Sequence, residues 1–102
     1  MKFENTPLID RKDIHNFELI VDGHRSFIDY LEKGGKFYLV HTEVAPELEG
    51  QGVAAALVEK VFLYLEENKS KAVPLCPYIR SFLKRHPEWD SRVIETSAAG
   101  DQ

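Results

Sequence analysis

The sequence predicts one domain over residues 1–102, of the mixed α/β (α+β) class, with the element order β-β-β-α-β-α. Apolar residues alternate at a period of two through residues 16–44, which indicates strands; from Ala54 onward they recur every three or four residues, which indicates a helix. With 43% hydrophobic and 29% charged residues, the chain allows one modest core and fits a globular protein. We therefore expect an antiparallel meander that a parallel crossover strand extends.

Three strands joined by two tight turns are predicted for residues 16–44, whereas residues 1–14 show no clear pattern. Asp22 and Gly23 signal a two-residue hairpin turn, because both central positions of such a turn favour positive φ. The KGGK segment makes the second turn, so the later strands span about 25–32 and 36–44. Strict alternation in the third strand places on one face Phe37, Leu39, His41 and Glu43, and on the other Tyr38, Val40, Thr42 and Val44.

Two helices and a fourth strand complete the predicted fold. The first helix covers about residues 52–68, and its apolar stripe consists of Ala54, Leu57, Val58, Val61 and Leu65. The KAVPLC segment is a strand that a right-handed crossover lays parallel to the third strand. Pro77 suits the first turn of a second helix of about residues 77–85, after which Trp89 packs back on the core. Residues from about 95 to 102 are expected to form a disordered tail.

Composition excludes several classes of protein. The formal net charge of −4 does not favour a nucleic-acid partner, and a single cysteine rules out a disulfide scaffold or a multi-cysteine zinc site within one chain. No apolar run approaches the roughly 18 residues of a membrane span, and the N-terminus lacks the apolar core of a signal peptide. We expect a cytoplasmic monomer with no membrane contact and no metal site.

The stretch EGQGVA at residues 49–54 lies where the strand pattern gives way to the helical one. A helix N-terminus exposes unpaired N–H groups, and glycines let the backbone approach a phosphate closely. A tight turn that binds nothing is the alternative, and the local pattern leaves both open. The stretch does not fit a dinucleotide-binding fingerprint, because the βαβ unit and the acidic residue that this fingerprint needs are missing. It does not fit a Walker loop either, because no Gly-Lys-Ser/Thr follows the glycines. A GxxG clamp on nucleic acid is disfavoured by Glu47 and Glu49.

Two separated segments, VHTEVAPELEGQGVAAALVEK and AVPLCPYIRSFLKRHPEW, resemble the small, minimal members of the GNAT acetyltransferase superfamily, of the YjdJ type. The resemblance covers about residues 15–89. It implies a GNAT-like fold and a site for acetyl-CoA (coenzyme A), with the pantetheine arm beside Thr42 and Val44. The superfamily motif Gln/Arg-x-x-Gly-x-Gly/Ala aligns with the cofactor-binding candidates Glu49, Gly50, Gln51, Gly52, Val53 and Ala54. Glu49 departs from the Gln or Arg of the motif, but the superfamily binds the pyrophosphate mainly through backbone N–H groups.

Cys76 and His41 are the candidate catalytic residues. Cys76 precedes Pro77 at a predicted helix N-terminus, where the helix dipole lowers a thiol pKa. It could carry the acetyl group or protonate the leaving thiolate, or it could simply be a small buried residue. His41 suits a general base, and a pairing with Cys76 across adjacent parallel strands is a hypothesis; a strand histidine bonded to a backbone carbonyl is the alternative. The resembling family has a matching residue at both positions.

The second helix supplies further candidates for cofactor binding. Arg80 and Lys84 share a helix face and could hold the 3′-phosphate of CoA, or could simply complement the helix C-terminus. Tyr78 could flank the pantetheine or the adenine. The sequence thus predicts an acetyl-CoA-dependent N-acetyltransferase with an unidentified amine acceptor. The alternatives are a CoA- or acyl-CoA-binding module with little catalysis that acts through a protein partner, and an interaction domain with no cofactor.

Overall fold

The computed structural model describes residues 3–95 and contains one mixed sheet with strand order β1-β2-β3-β4-β5. The strands are β1 (Ile9–Arg11), β2 (Asn16–Val21), β3 (His24–Lys33), β4 (Lys36–Glu43) and β5 (Lys71–Pro74). The helices are α1 (Val53–Glu67) and α2 (Pro77–Arg85), and short 3₁₀ turns span Pro46–Leu48 and Pro87–Trp89. The predicted meander, both helices and the parallel pairing of β5 with β4 are confirmed.

The sheet has one covered face and one open face. Phe62 of α1 contacts Phe82 of α2 with ring centroids 5.9 Å apart, so the two helices lie on the same side of the sheet. Fully buried residues of that layer include Phe17, Leu19, Ile28, Leu39, Leu57, Val58, Val61 and Leu65. As predicted, Trp89 is buried, and it packs on Phe62. Within residues 3–95 no helix covers the other face, where Ile20 and Leu31 are exposed. None of the helices in this range is long and apolar enough to cross a membrane.

A β-bulge in β4 reverses the direction of the side chains that follow it. Asp29 of β3 pairs with His41, but the next residue, Tyr30, pairs with Leu39, which leaves Val40 as an extra residue. Before the bulge, Leu39 points to the helices. After it, Thr42 faces that side and His41 faces the open side. The predicted strict alternation is therefore wrong beyond Leu39, because a period-two pattern contains no mark of an inserted residue.

Strand β1 was not predicted, because three largely polar residues carry no apolar alternation. It pairs antiparallel with β2. The predicted fourth strand of residues 71–76 is shorter than expected and ends at Pro74. At the end of the described chain, the Glu95 N–H donates to the Ala72 carbonyl at 2.9 Å, so Glu95 is held against β5. The rest of the predicted disordered tail lies outside the described residues.

Asp10 of β1 joins three elements through two tyrosines. Its carboxylate accepts hydrogen bonds from the Tyr30 hydroxyl of β3 at 2.6 Å and from the Tyr64 hydroxyl of α1 at 3.1 Å. Burial, followed by the hydrogen bond to the Asp10 carboxylate and its charge, raises the pKa of both tyrosines above their usual value. The folded state therefore keeps both phenols protonated at a pH where the unfolded chain loses these protons.

The stability of the fold is expected to fall as the pH rises above about 10, the ordinary pKa of tyrosine. A raised folded-state pKa means that the stabilisation is complete below pH 10 and is lost above it, with a slope of about 1.4 kcal/mol per pH unit for each proton retained. Urea unfolding at several alkaline pH values measures this slope. The Tyr30→Phe variant should lose about 1 kcal/mol at neutral pH and show a flatter slope; an unchanged slope would contradict the assignment.

Candidate functional site

A groove of about 220 Å³ lies between the start of α1 and the start of α2. Its lining residues are Val44, Leu48, Glu49, Gly50, Gly52, Val53, Ala54, Ala55 and Tyr78. The structure thus brings together Val44, Tyr78 and most of the predicted glycine motif. Leu48 and Ala55 were missed. Leu48 is a single apolar residue between acidic ones, and its burial at 2% exposure is the only feature that distinguishes it.

The two glycines of the motif form the turn that starts α1. Gly50 and Gly52 have φ angles of +82° and +81°, in the left-handed region that favours glycine. A Cβ atom added at either position would meet no atom within 4 Å, so both Cα atoms face open space. Gly52 is the N-cap of α1, and no side chain caps this helix end.

Backbone N–H groups are therefore available at the start of α1. The first helical bond runs from the Ala56 N–H to the Gly52 carbonyl, so the N–H groups of Val53, Ala54 and Ala55 precede the helical ladder. The helix dipole adds partial positive charge at this end. Such an arrangement attracts anions without any cationic side chain. Glu49 has an exposed side chain in the same groove and acts against this attraction.

Beyond Leu39, strands β4 and β5 separate. The Leu39 carbonyl accepts hydrogen bonds from the N–H groups of both Leu75 (3.0 Å) and Cys76 (2.9 Å), and the parallel pairing ends there. Among the described residues, no strand pairs with β4 on this side from Val40 onward. The result is an open strand edge that carries Thr42 and leads to Val44 in the groove.

Cys76 lies at this opening, as the N-cap of α2, which confirms its predicted place at a helix N-terminus. Cys76 is 3% exposed, and its thiol donates a hydrogen bond to Thr42 Oγ1 at 3.4 Å. Burial opposes ionisation of the thiol, but it is outweighed by the hydrogen bond with Thr42, whose hydroxyl can turn and donate to a thiolate, and by the backbone N–H groups of Ile79, Tyr78 and Thr42. The pKa of Cys76 consequently lies below its ordinary value.

His41 is not next to Cys76, and the hypothesis that these two side chains form a pair is wrong. The bulge turns His41 to the open face of the sheet, where its Nε2 lies 3.2 Å from Glu43 Oε1 and its ring is 6.5 Å from that of Phe27. Cys76 contacts Thr42 on the helix side of the same strand. His41 and Cys76 are thus on opposite faces of the sheet.

The predicted cations of α2 do not line the groove. Arg80 donates from Nε to the Pro74 carbonyl at 2.9 Å, which fixes its side chain against the end of β5. Lys84 is exposed and lines neither this groove nor the cleft on the other side of the α1 N-terminus. The helical face that meets the clefts is instead that of Tyr78, Phe82 and His86.

A second cleft, of about 240 Å³, continues from the turn on the other side of the α1 N-terminus. It shares Gly52 and Ala55 with the groove and also contains Gln51. The other residues that line it are Phe3, Ala56, Glu59, Phe82, His86, Glu88 and Trp89. It therefore combines aromatic side chains with two carboxylates. Within residues 3–95 no group of three or more His, Cys, Asp or Glu side chains is arranged to hold a metal ion.

Comparison with known proteins identifies the family. The family described as GCN5-related N-acetyl-transferase matches residues 16–93 of this chain. The solution NMR structure of a GCN5-like protein from Staphylococcus aureus shares the fold, with a TM-score of 0.65 and 22% sequence identity over 89% of this chain and 90% of that one. No curated protein is similar enough to count as a match. This chain belongs to the GCN5-related N-acetyltransferase (GNAT) family.

Proposed function

We propose that this protein is an acetyl-CoA-dependent N-acetyltransferase that transfers the acetyl group to an amine. One observation carries the proposal: the groove has N–H groups without helical partners at one end, and its lining residue Val44 follows a free strand edge whose Thr42 contacts a cysteine of lowered pKa. Family membership supports the reaction class. A cytoplasmic monomer with no membrane or nucleic-acid partner completes the proposal.

The pyrophosphate of CoA would bind at the glycine turn. The N–H groups of Val53, Ala54 and Ala55 have no helical partners, and the absence of Cβ atoms at Gly50 and Gly52 leaves space for a phosphate to touch the backbone. Glu49 lies beside this position, so the favourable interaction has to come from the backbone. Gln51 lies on the other side of the turn, in the second cleft.

The pantetheine arm would run from the turn along the free edge of β4. Its amide groups can form the hydrogen bonds that β5 does not make beyond Leu39. Val44 and Tyr78 form apolar walls along this path, which leads to Thr42 and Cys76. The adenine would lie in the second cleft, where aromatic rings can stack on it and Glu59 can accept a hydrogen bond from its amino group.

Cys76 is the proposed nucleophile, because its surroundings stabilise an anionic sulfur. The Cys76 thiolate attacks the acetyl carbonyl carbon, the bond from that carbon to the CoA sulfur breaks, and CoA leaves as a thiolate that takes up a proton. The amine, as a free base, then attacks acetyl-Cys76. The Cys76 thiolate leaves, and the new amide loses the amine's proton.

The acceptor amine would approach from the open face of the sheet. His41 lies on that face, adjacent in sequence to Thr42, and its contact with Glu43 orients its ring. In this position His41 would take the proton of the amine on the open face, before the amine passes the free edge of β4 and attacks acetyl-Cys76 on the helix side. The two proposed catalytic residues thus act from opposite sides of one strand.

The proposal is tested by release of free CoA from acetyl-CoA in the presence of a panel of amines, which includes a polyamine, a lysine peptide and a peptide with a free N-terminus. Amine-dependent release by the native protein supports an acetyltransferase. Binding of acetyl-CoA without release above background hydrolysis would instead support a CoA-binding module. Absence of both would favour an interaction domain.

A further inference from the structure

We infer that Ser26 is a positioning residue for the donor groove, and that it acts through its hydrogen bond to the Ala45 backbone. This inference rests on the proposed function, since it concerns how the CoA-binding groove keeps its shape. Ser26 lies on β3, outside the groove itself.

Ser26 is a polar residue in an apolar layer. It is fully buried and shares the helix side of β3 with Ile28 and Tyr30, both of which belong to the core. A serine at such a position needs a hydrogen-bond partner, because an unpaired buried hydroxyl is unfavourable. Its Oγ accepts a hydrogen bond from the Ala45 N–H at 3.1 Å.

Ala45 occupies the point where the chain leaves the sheet and begins one wall of the groove. It follows Val44, which lines the groove, and it is the N-cap of the 3₁₀ turn Pro46–Leu48. The next backbone bonds of this segment are local: the Leu48 N–H donates to the Ala45 carbonyl at 2.9 Å, and the Gln51 N–H donates to the Leu48 carbonyl at 3.3 Å. They hold the segment's own shape but do not fix it to the sheet.

Three kinds of contact fix this wall to the rest of the protein: the Ser26 hydrogen bond at its start, the contact of Glu47 Oε1 with His24 Nδ1 of β3 at 3.5 Å, and the apolar packing of Val44, Ala45 and the buried Leu48 against the core. The Glu47 contact is on the surface, and the Ser26 bond is the buried one. The apolar contact of Leu48 has no preferred direction and lets the segment shift. The Ser26 hydrogen bond is directional and sets the position of Ala45 relative to β3. Val44 and the glycine turn lie on either side of these anchors. Loss of the Ser26 bond should loosen the groove before the ligand binds and so weaken CoA binding.

The test is a double-mutant cycle on the Kd for CoA, measured by calorimetry. Ser26→Ala should raise this Kd about three- to tenfold, as expected for loss of one hydrogen bond. Ala45→Pro removes the N–H donor, and the Ala45 φ of −56° suits proline. If Ser26 acts through this donor, Ser26→Ala should produce no further change in the Ala45→Pro background. Ser81→Ala is the matched control, because Ser81 Oγ only accepts a surface hydrogen bond from Arg85.

Each other outcome overturns the inference. A lower melting temperature with an unchanged Kd would show that Ser26 only stabilises the fold, and additive effects of the two substitutions would show that it does not act through Ala45. If the Ser26→Ala variant does not fold, hydrogen exchange of the Ala45 amide in the native protein is measured instead. We expect this amide to exchange slowly, and more slowly still with CoA bound. Exchange at the rate of an open loop would refute the positioning role of Ser26. Native protein that fails to bind CoA would instead refute the proposed function and, with it, this inference.

Discussion

Replacing Cys76 with alanine is expected to lower the rate of acetyl transfer on the order of 10²-fold or more while leaving the Kd for CoA close to the native value. Cys76 is 3% exposed, and its Sγ contacts Thr42 and is not part of the groove lining, so its loss removes the reacting group without changing the surface that holds the ligand. The lowered pKa of Cys76 is the property that alanine cannot supply. Steady-state kinetics and calorimetry on the same preparation measure the two effects.

A Cys76→Ser variant separates the chemical role from the packing role. Serine retains the approximate size and the hydrogen bond to Thr42, but its hydroxyl forms no anion near neutral pH, so the variant should be about as inactive as the alanine variant. Native protein incubated with acetyl-CoA alone should gain the mass of one acetyl group, and both variants should remain unmodified. Transfer at the native rate by either variant would contradict a covalent route through Cys76.

Replacing Gly52 with tryptophan is expected to weaken CoA binding at least about 100-fold, which corresponds to about 2.7 kcal/mol. A Cβ at Gly52 faces open space, so the indole would project into the clefts on either side of the turn and occupy the proposed position of the pyrophosphate. Because φ is +81° at this position, the substitution should also destabilise the fold by about 1–2 kcal/mol. Calorimetry gives the first value and urea unfolding the second.

Gly35→Trp is a matched control for this substitution. Gly35 also has φ of +81° and open space where a Cβ would lie, but it belongs to the turn between β3 and β4, and it lines neither cleft. The Gly35→Trp variant should be destabilised to a similar extent, but its Kd for CoA should be unchanged. Equal loss of binding in both variants would show that strain, rather than the blocked groove, is responsible.

The sequence predicts those parts of the fold that depend on local chemistry. Period-two alternation with a turn at Asp22-Gly23 gives the meander, and the change to helical spacing after Gly52 gives α1. Pro77 marks the start of α2 and thereby the N-cap position of Cys76. The right-handed crossover then gives the parallel pairing of β4 with β5. The glycine turn was found for the same reason, because positive φ angles select glycine.

The features that depend on the register between strands could not be predicted. The extra residue Val40 turns His41 away from Cys76, and nothing in the local sequence marks it, since either register keeps Leu39 in the core. Arg80 is similar: its position on the helix suits a phosphate, but its guanidinium is bound by the Pro74 carbonyl. The local sequence around Ser26 does not indicate its role, because the Ala45 N–H that it binds is 19 residues away in the chain.

The central claim, that the glycine turn and the free edge of β4 hold CoA, is tested most directly by an amide NMR titration of the native protein with CoA. We predict saturable shifts at the amides of residues 40–45, 50–56 and 76–79, and little change around β1, where Asp10 contacts Tyr30 and Tyr64. Absence of any shift at millimolar CoA, or shifts confined to surfaces outside the two clefts, would contradict the claim.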